Sequence, residues 1–246
     1  MTFQQKNKKY VKDNVSYLMT LCADKIEVKN YVKYTLNEEI YPKTLKIYNN
    51  ANEINLNELP DKFVLKCNNA CAHNIFCFDK KTFNLESAKE KLNTWVNRVA
   101  GEISGEYQYC KINRKIFAEE LLECDKELLD YRFWCFNGRP HFLAISSGMS
   151  GQNFYDLNFN PIDLINSAHP PRKNKEFIKP ENFEKMIDYA TKLSTNFKFV
   201  RVDMYNINGN IYLGEMTFSP SGYKFHFINS KEEILDEKIG ELLNLD

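Results

Sequence analysis

The sequence predicts an α+β fold in which largely antiparallel sheets are covered by helices. Two Asn-Gly dipeptides, Asn137-Gly138 and Asn208-Gly209, each separate two apolar-rich runs, which is the strongest local signal for an antiparallel hairpin. Longer segments with a helical spacing of apolar residues lie between the strand-like runs, which favours an α+β arrangement over a doubly wound sheet. With 246 residues, of which 43% are hydrophobic, the chain is long enough to bury a sizeable core.

Helices and strands are predicted from apolar periodicity and from capping residues. Pro180 is a favourable first-turn residue, and Ser230 with Glu233 has the spacing of a capping box. The predicted helices cover about 26–36, 85–99, 183–193 and the segment after residue 230. The predicted strands cover 63–67, 75–78, 116–121, 131–136, 141–146, 199–207 and 211–218. A polar, turn-like run at 123–127 suggests a boundary between two lobes near 122–130.

Charge and composition exclude several classes of partner. The 33 Lys and Arg residues balance the 33 Asp and Glu residues, so no overall positive field favours nucleic acid or an anionic membrane surface. Residues 1–13 are polar and lysine-rich, unlike a signal peptide, and no apolar run approaches the ~18–20 residues of a spanning helix. We therefore expect a cytoplasmic protein. The sequence gives no argument about its oligomeric state.

Familiar nucleotide and nucleophile motifs are missing from the sequence. It contains neither a GxxxxGK[ST] phosphate loop nor a GxGxxG dinucleotide fingerprint, and it has no GxSxG elbow. A nucleotide would therefore need another scaffold.

The seven cysteines are interpreted as reduced, buried thiols because several lie in apolar runs. An alternative is a zinc site formed by Cys67, Cys71, His73 and Cys77, which cluster in the sequence. Their spacing fits no common zinc finger, and two of them lie in strand-like runs, so buried thiols are favoured.

The segment 199–218 carries the most informative constellation of polar residues. Alternation along a strand places Arg201 and Asp203 on one face. A two-residue loop would pair Asp203 with Gly214 and send Glu215 to the opposite face. A three-residue loop with a bulge would instead pair Asp203 with Leu213 and Arg201 with Glu215, which makes the two carboxylates same-face diagonal neighbours. We predict this second register.

Two carboxylates on one face suit a magnesium ion that also binds phosphate oxygens and water. A nearby arginine would help neutralise the charge that develops during phosphoryl transfer. An ordinary ion pair on an exposed two-stranded ribbon is the alternative explanation of the same residues.

The order of motifs resembles the ATP-grasp ligases. Arg-Val-Asp at 201–203 and Glu-Met-Thr at 215–217 look like their metal-binding core. Further matches resemble the teichuronopeptide-biosynthesis branch of that superfamily, and they lie at 23–25, 63–68, 118–122, 130–133, 136–138 and 154–156. The resemblance implies an ATP-grasp fold whose two lobes hold ATP between them. It covers the chain from about residue 21, so the expected divisions are an extension at 1–20 and lobes at 21–122 and 123–246.

The resemblance also implies roles for single residues around the nucleotide. Lys25 and Lys66 match the two lysines that contact the ATP phosphates. The segment Glu119, Glu120, Leu121 and Leu122 matches the one whose backbone binds the adenine edge, and either glutamate is a candidate for its amino group. Asp130 has the position of the carboxylate that binds the ribose hydroxyls.

The metal and phosphoryl positions follow from the same resemblance. Asp203 and Glu215 match the Mg²⁺ ligands, and Thr217 has the position of a third ligand that is usually asparagine. Threonine offers only a hydroxyl oxygen at this position. Arg201 matches the arginine beside the transferred phosphoryl group, where it would stabilise the acyl phosphate and the oxyanion that follows.

Three loops complete the expectations. The loop at 68–74 is usually glycine-rich in these enzymes, and here Asn68 and Asn69 are expected to supply part of the turn. The loops at 146–152 and 169–173 are candidates for a substrate lid, in which Arg172 or Lys173 would meet an acidic substrate.

The implied activity is ATP-dependent amide formation between a carboxylate and an amine. The branch belongs to bacterial surface-polysaccharide (capsule or cell-wall) pathways, which implies a uronic acid or glutamate-like carboxylate, free or as a nucleotide sugar, and a small amine. One alternative is a kinase of a sugar or lipid-linked hydroxyl. Another is a degenerate nucleotide-binding scaffold, which the glycine-poor loop and Thr217 would explain.

Overall fold

The structure is a computed structural model that describes residues 1–69, 73–98, 101, 104–124, 127–147, 151–172 and 177–245. Its helices are α1 (Phe3–Asn14), α2 (Tyr17–Ala23), α3 (Val28–Leu36), α4 (Leu85–Val96), α5 (Phe183–Ser194) and α6 (Asp236–Glu241). Its strands are β1 (Thr44–Tyr48), β2 (Phe63–Cys67), β3 (Asn74–Cys77), β4 (Ile116–Glu120), β5 (Asp130–Phe136), β6 (Arg139–Ser146), β7 (Gln152–Tyr155), β8 (Ile165–Asn166), β9 (Phe199–Ile207), β10 (Asn210–Thr217) and β11 (Phe227–Ile228).

The strands of the described ranges form three sheets. The first has the order β1-β4-β2-β3, the second has the order β10-β9-β5-β6-β7, and β11 pairs with β8. Every strand pairing is antiparallel. The predicted α+β class with antiparallel sheets is therefore confirmed.

Two hydrophobic clusters form the core. The smaller one joins the first sheet to α4, with Phe63, Leu65 and Leu92 fully buried. The larger one joins the second sheet to α5 and also takes in the N-terminal helices, for example through Phe3 and Val32. The helices at 3–36 therefore share a core with the second sheet, while the division into lobes at 21–122 and 123–246 stays a prediction.

The N-terminal helix α1 lies inside the segment that we expected to be an extension. Thr2 and Gln5 form a capping box at its start, and Phe3 and Val11 are fully buried. Its sequence is mostly polar, so its narrow apolar stripe gave little periodic signal. None of the described helices has both the length and the apolar character that a membrane span requires.

The capping box predicted at 230–233 is wrong. The Ser230 backbone N–H and hydroxyl both bind Asp163, at 2.7 and 2.8 Å, within a turn. The last helix starts later, at Asp236, and its N-cap Leu235 makes no side-chain capping bond. The competing tertiary contact to Asp163 explains why the local motif did not begin a helix.

Both Asn-Gly dipeptides form the predicted hairpin turns. In each turn the asparagine and the glycine have positive φ, with values of 48° and 80° at 137–138 and 52° and 81° at 208–209. Positive φ at both central residues defines a type I′ turn, which asparagine and glycine tolerate best. The turns join β5 to β6 and β9 to β10 with two-residue loops.

Candidate active site

The hairpin of β9 and β10 differs from the predicted register but places both carboxylates on one face. A two-residue loop starts the ladder, and a β-bulge between Leu213 and Glu215 then shifts it by one residue. Glu215 consequently lies directly opposite Asp203 rather than on its diagonal. The predicted three-residue loop was wrong because the extra residue is at Gly214 and not in the turn.

Gly214 suits the bulge because no side chain fits there without displacement. A Cβ atom at this position would lie 3.1 Å from a ring carbon of Tyr205 and 3.3 Å from the carbonyl oxygen of Asp203. The bulge therefore needs a residue without a side chain.

The five strands of the second sheet align three rows of side chains on the same face, because alternate residues of a strand share a face. The first row contains Gln152, Ser146, Asp130, Tyr205 and Tyr212; the second contains Phe154, Ala144, Arg132, Asp203 and Glu215; and the third contains Phe142, Trp134, Arg201 and Thr217. The candidate metal, ribose and phosphoryl residues are thus neighbours on one surface.

Arg201 lies at the centre of this surface and binds the side chains of Asp203 and Thr217. Its Nε and Nη2 donate to the two carboxylate oxygens of Asp203 at 2.7 and 2.5 Å, and Nη2 also donates to the Thr217 hydroxyl at 3.2 Å. The Thr217 hydroxyl in turn donates to Glu215 Oε1 at 2.9 Å. Thr217 therefore orients Glu215, and the guanidinium is held in a bidentate geometry.

Lys25 reaches the same centre from the turn between α2 and α3. Its Nζ lies 3.1 Å from Glu215 Oε2. The backbone of this turn is attached to the end of β2, since Lys25 N donates to Asn68 O and the Asn68 amide donates to Asp24 at 2.8 Å. Asn68 is buried, and its amide oxygen also accepts from Lys115 N at 2.7 Å. This network fixes the position of Lys25.

Lys66 lies on β2 and binds a buried glutamate of the neighbouring strand. Its Nζ donates to Glu119 Oε1 at 2.5 Å, while Lys29 donates to Glu119 Oε2 at 2.9 Å. Glu120 Oε1 accepts from the backbone N–H of Lys43 at 2.8 Å. Both glutamates of the predicted adenine segment thus have partners within the protein.

A cleft between the two sheets is lined by both predicted phosphate lysines. Its lining comes from Lys25, Val28, Lys29, Tyr41, Pro42, Lys66, Phe117, Glu119, Tyr205, Leu213 and Gly214. The cleft is narrow, because its cavity volume is only about 20 Å³, and the surrounding space reaches about 360 Å³ only when the part open to solvent is included. Leu121 and Leu122 follow β4 and are half-buried. Lys25 and Lys66 therefore face one cavity, as the phosphate assignment requires.

Asp130 carries a buried acceptor without a partner among the described residues. Its Oδ2 accepts from Arg132 Nε at 2.8 Å, but Oδ1 is buried and makes no hydrogen bond. Burial raises the pKa of Asp130, and the charge of Arg132 opposes this shift. An unpaired buried acceptor is costly unless a ligand supplies a donor, so Asp130 fits a ligand hydroxyl.

The two candidate metal ligands differ in electrostatic environment. Burial raises the pKa of Asp203 to about 7, although Arg201 opposes the shift. Burial alone would also raise the pKa of Glu215, but Lys25 and Arg201 outweigh it and hold this pKa at about 2. Glu215 is thus fully charged at neutral pH, while the buried environment of Asp203 penalises its charge. A divalent cation would remove that penalty.

The donor set fits a magnesium ion that shares its ligands with a nucleotide. Asp203 and Glu215 offer oxygen atoms from adjacent strands, and within the described ranges no three His, Cys, Asp or Glu side chains come together as a metal site. Mg²⁺ is commonly held by one or two carboxylates, with phosphates and water completing its octahedron. Two carboxylates beside a cleft lined by lysines match this mode.

The sequence features outside this surface have ordinary structural roles where they are described. Cys67 and Cys77 are buried thiols, and the ring of His73 stacks on Trp95 with a centroid distance of 4.7 Å. Cys71 lies outside the described residues. Asn68 and Asn69 lie in a turn, as expected for the start of the loop at 68–74, but neither has the positive φ that was the reason for the expectation.

The two candidate lid loops are described only in part. Arg172 Nη1 donates to Glu127 Oε1 at 2.6 Å, and its backbone N–H donates to the Asn153 side chain at 2.9 Å. Lys173 and residues 148–150 lie outside the described part of the chain. Arg172 therefore already has an acidic partner within the protein.

Sequence reasoning missed three polar residues of this surface and cleft. Lys29 lies one helical turn after Lys25, a spacing that could have indicated a second cation facing the same cleft. Arg132 and Ser146 join the surface only through the strand order β6-β5-β9. Arg132 lies in the matched motif at 130–133 and Ser146 in the candidate lid loop at 146–152, but no local pattern specifies that strand order, so neither residue was assigned to the site.

The antiparallel sheets and the cleft between them are the features expected of the ATP-grasp class. The TupA-like ATPgrasp family model matches residues 4–244, so the chain belongs to this family. This match confirms the predicted recognition and the predicted ATP-grasp fold. No curated relative matches the chain at a significant level.

Solved structures with a similar arrangement include three ligases. An L-amino acid ligase from Bacillus licheniformis has a TM-score of 0.49 and 14% identity, with 82% of this chain and 44% of that chain covered. A D-alanine–D-alanine ligase from Bacillus anthracis has a TM-score of 0.47 and 19% identity, with 80% and 57% covered. The Helicobacter pylori D-alanine–D-alanine ligase has a TM-score of 0.47 and 15% identity, with 91% and 60% covered. The chain spans about half the length of these structures.

Proposed function

We propose that this protein is an ATP-dependent carboxylate–amine ligase that forms an amide through an acyl phosphate. The observation that carries the proposal is the direct cross-strand pair of Asp203 and Glu215, flanked by Arg201 and Lys25 beside the cleft between the sheets. Two carboxylates and two fixed cations on one surface suit the terminal phosphates of ATP with a divalent ion.

The nucleotide would lie in the cleft between the two sheets, which would widen to admit it. Lys66 lines this cleft and would contact the phosphates, for which it would exchange its bond to Glu119. Asp130 would accept a hydrogen bond from the ribose through its unpaired Oδ1. The backbone at 119–122 would bind the adenine edge, as the family resemblance implies.

Asp203 and Glu215 would hold Mg²⁺. The ion would supply charge neutralisation on the β- and γ-phosphates. Thr217 holds Glu215 in place through its hydroxyl, at 2.9 Å, and is therefore a positioning residue in this proposal.

The reaction would proceed in two steps that Arg201 assists. A carboxylate oxygen of the substrate attacks the γ-phosphorus, the bond to the bridging oxygen of ADP breaks, and an acyl phosphate forms. The amine nitrogen then attacks the acyl carbon, phosphate leaves, and the amine gives up its proton. Arg201 lies on the same surface and would stabilise the charge on the transferred phosphoryl group and on the tetrahedral oxyanion.

The substrate would be a sugar acid of a bacterial surface polysaccharide, and the amine would be small. The resemblance to the teichuronopeptide-biosynthesis branch supports a uronic acid, free or as a nucleotide sugar. The proposal locates the reaction in the cytoplasm, where ATP is available.

An assay of ADP release from ATP and Mg²⁺ tests the proposal. The carboxylate substrates are glucuronic acid, galacturonic acid and their UDP conjugates, and each is supplied with and without an amine, which is glycine, alanine, glutamate or ammonium. A ligase gives amine-dependent ADP, which Asp203→Asn abolishes. The control Asp188→Asn removes an exposed carboxylate on α5 that pairs with Lys192, and it should leave turnover unchanged. Amine-independent phosphorylated product would indicate a kinase, and nucleotide binding without any product would indicate a scaffold.

A further inference from the structure

The polar surface continues beyond the proposed metal pair onto β5, where Arg132 has unused donors. Arg132 lies directly opposite Asp203 in the pairing of β5 with β9, and its side chain is 18% exposed. Its Nε donates to Asp130 Oδ2 at 2.8 Å. Within the described ranges, its two terminal nitrogens make no hydrogen bond to the protein. Arg132 thus offers a charged group with several free N–H donors on the surface of the site.

Arg201 has fewer unused donors, although it lies two positions along the neighbouring strand. Its Nε and Nη2 donate to both oxygens of Asp203 and to Thr217, which leaves Nη1 as its remaining terminal nitrogen. Both terminal nitrogens of Arg132 are without a hydrogen bond among the described residues, so Arg132 offers more donors to another anion.

Ser146 on β6 adds a second unpartnered group next to Arg132. It lies opposite Asp130 in the pairing of β5 with β6, and it is 1% exposed. Its hydroxyl is buried and has no hydrogen-bond partner among the described residues. A buried hydroxyl without a partner costs free energy, which a ligand that accepts its hydrogen bond would recover.

The neighbours of these two residues are a small, fully buried side chain and an imidazole ring. The residue opposite Arg132 on β6 is Ala144, whose methyl group is the smallest side chain of its row. On the chain after β8, His169 lies near both arginines: burial lowers the pKa of His169, and the charges of Arg132 and Arg201 lower it further. A neutral imidazole therefore borders the two guanidinium groups.

We propose that Arg132 and Ser146 form the subsite for the carboxylate of the sugar-acid substrate. Two guanidinium N–H groups and one hydroxyl are donors that suit the two oxygens of a carboxylate. The subsite adjoins Asp203 across one strand pairing, so the bound carboxylate would lie beside the proposed position of the γ-phosphate. This assignment rests on the proposed function and deepens it.

A competing role for Arg132 predicts a different outcome. Its observed partner is Asp130, so it would then only orient Asp130 toward the ribose. In that case the loss of Arg132 weakens nucleotide binding and leaves binding of the sugar acid unchanged.

Binding of glucuronic acid separates the two roles. Saturation-transfer NMR would titrate glucuronic acid against the protein with Mg²⁺ and a non-hydrolysable ATP analogue, and the affinity for the analogue would be measured on the same samples. We expect Arg132→Gln to weaken glucuronate binding by about tenfold or more, since hydrogen bonds to charged groups contribute this much. Arg132→Lys should retain part of the affinity, and Ser146→Ala should cause a smaller loss.

The control is Arg139→Gln, which removes an exposed arginine at the turn of the same hairpin and should bind glucuronate like the wild type. All variants should bind the nucleotide analogue within threefold of the wild type, which also shows that they are folded. The subsite is overturned if the wild type does not bind glucuronate, if Arg132→Gln binds it as the wild type does, or if that variant loses only nucleotide affinity. Arg132-dependent binding without amine-dependent ADP release would instead reject the ligase and retain the subsite.

Discussion

Replacing Phe3 by alanine should destabilise the second sheet, although residue 3 lies in a segment with a mostly polar sequence. Phe3 is fully buried, and its ring lies 4.8 Å from that of Phe199 and 5.7 Å from those of Trp134 and Phe136, measured between centroids. The Trp134 ring also lies 5.9 Å from the guanidinium carbon of Arg201. Phe3 therefore supports the aromatic cluster that borders the polar end of the site.

The magnitude follows from the burial of this ring. Fully burying a phenylalanine side chain contributes roughly 1.5–3 kcal/mol, and the cavity left by truncation brings the usual cost of Phe→Ala to about 3–5 kcal/mol. For a chain of this length, each kcal/mol lowers the melting temperature by roughly 2–4 °C. Phe3→Ala should therefore melt about 10 °C below the wild type, and Phe3→Leu should lie between the two.

Urea denaturation monitored by circular dichroism measures the loss in free energy of unfolding, and thermal denaturation with the same signal measures the shift in melting temperature. Tyr17→Ala is the matched control, because Tyr17 is 83% exposed and its truncation should change stability by less than about 0.5 kcal/mol. A loss below about 1 kcal/mol for Phe3→Ala would refute the conclusion that α1 is part of the main core.

Two further predictions concern the bulge at Gly214 and the half-buried imidazole of His141. Deleting Gly214 leaves Glu215 opposite Asp203 in a regular ladder, so ADP release should persist. Inserting one alanine after Gly214 moves Glu215 to the core face of the sheet, so ADP release should fall to the level of Asp203→Asn. Equal activity of the two variants would contradict the register. Burial, then the charge of Arg139, lowers the pKa of His141 below its usual value of 6.5, so the unfolded chain binds the proton more tightly. The neutral imidazole therefore stabilises the folded protein above pH 6.5, and this stability is lost as the pH falls through the lowered pKa. In urea titrations His141→Gln should lose less free energy of unfolding between pH 6.5 and 5 than the wild type. An unchanged pH dependence in this variant would contradict the prediction.

The hairpin of β9 and β10 illustrates how far the sequence determines this site. Alternation correctly predicted that Arg201 and Asp203 share a face, and the order of motifs correctly indicated that Glu215 belongs beside them. The register was predicted wrongly, because pairing depends on where an extra residue is accommodated. The position of the extra residue is set at Gly214, where the Tyr205 ring and the Asp203 carbonyl oxygen leave no space for a side chain.

Arg132 and Ser146 show why part of the surface was not predicted. Each lies on a strand whose position was anticipated within one or two residues, so their local structure was accessible from periodicity. Their proximity to Asp203 depends on β5 lying between β6 and β9, which is a non-local pairing. The helix α1 was missed for a different reason, since its stability comes from tertiary burial of Phe3 and Val11 rather than from its own sequence pattern.

The central claim is that Asp203 and Glu215 jointly hold a divalent cation with the nucleotide. Mn²⁺ in place of Mg²⁺, with a non-hydrolysable ATP analogue, makes this measurable through the enhanced relaxation of water protons in the ternary complex. The account predicts strong enhancement for the wild type and for Asp188→Asn, and its loss in Asp203→Asn and Glu215→Gln at saturating nucleotide. Wild-type enhancement in both of the latter variants would contradict the account.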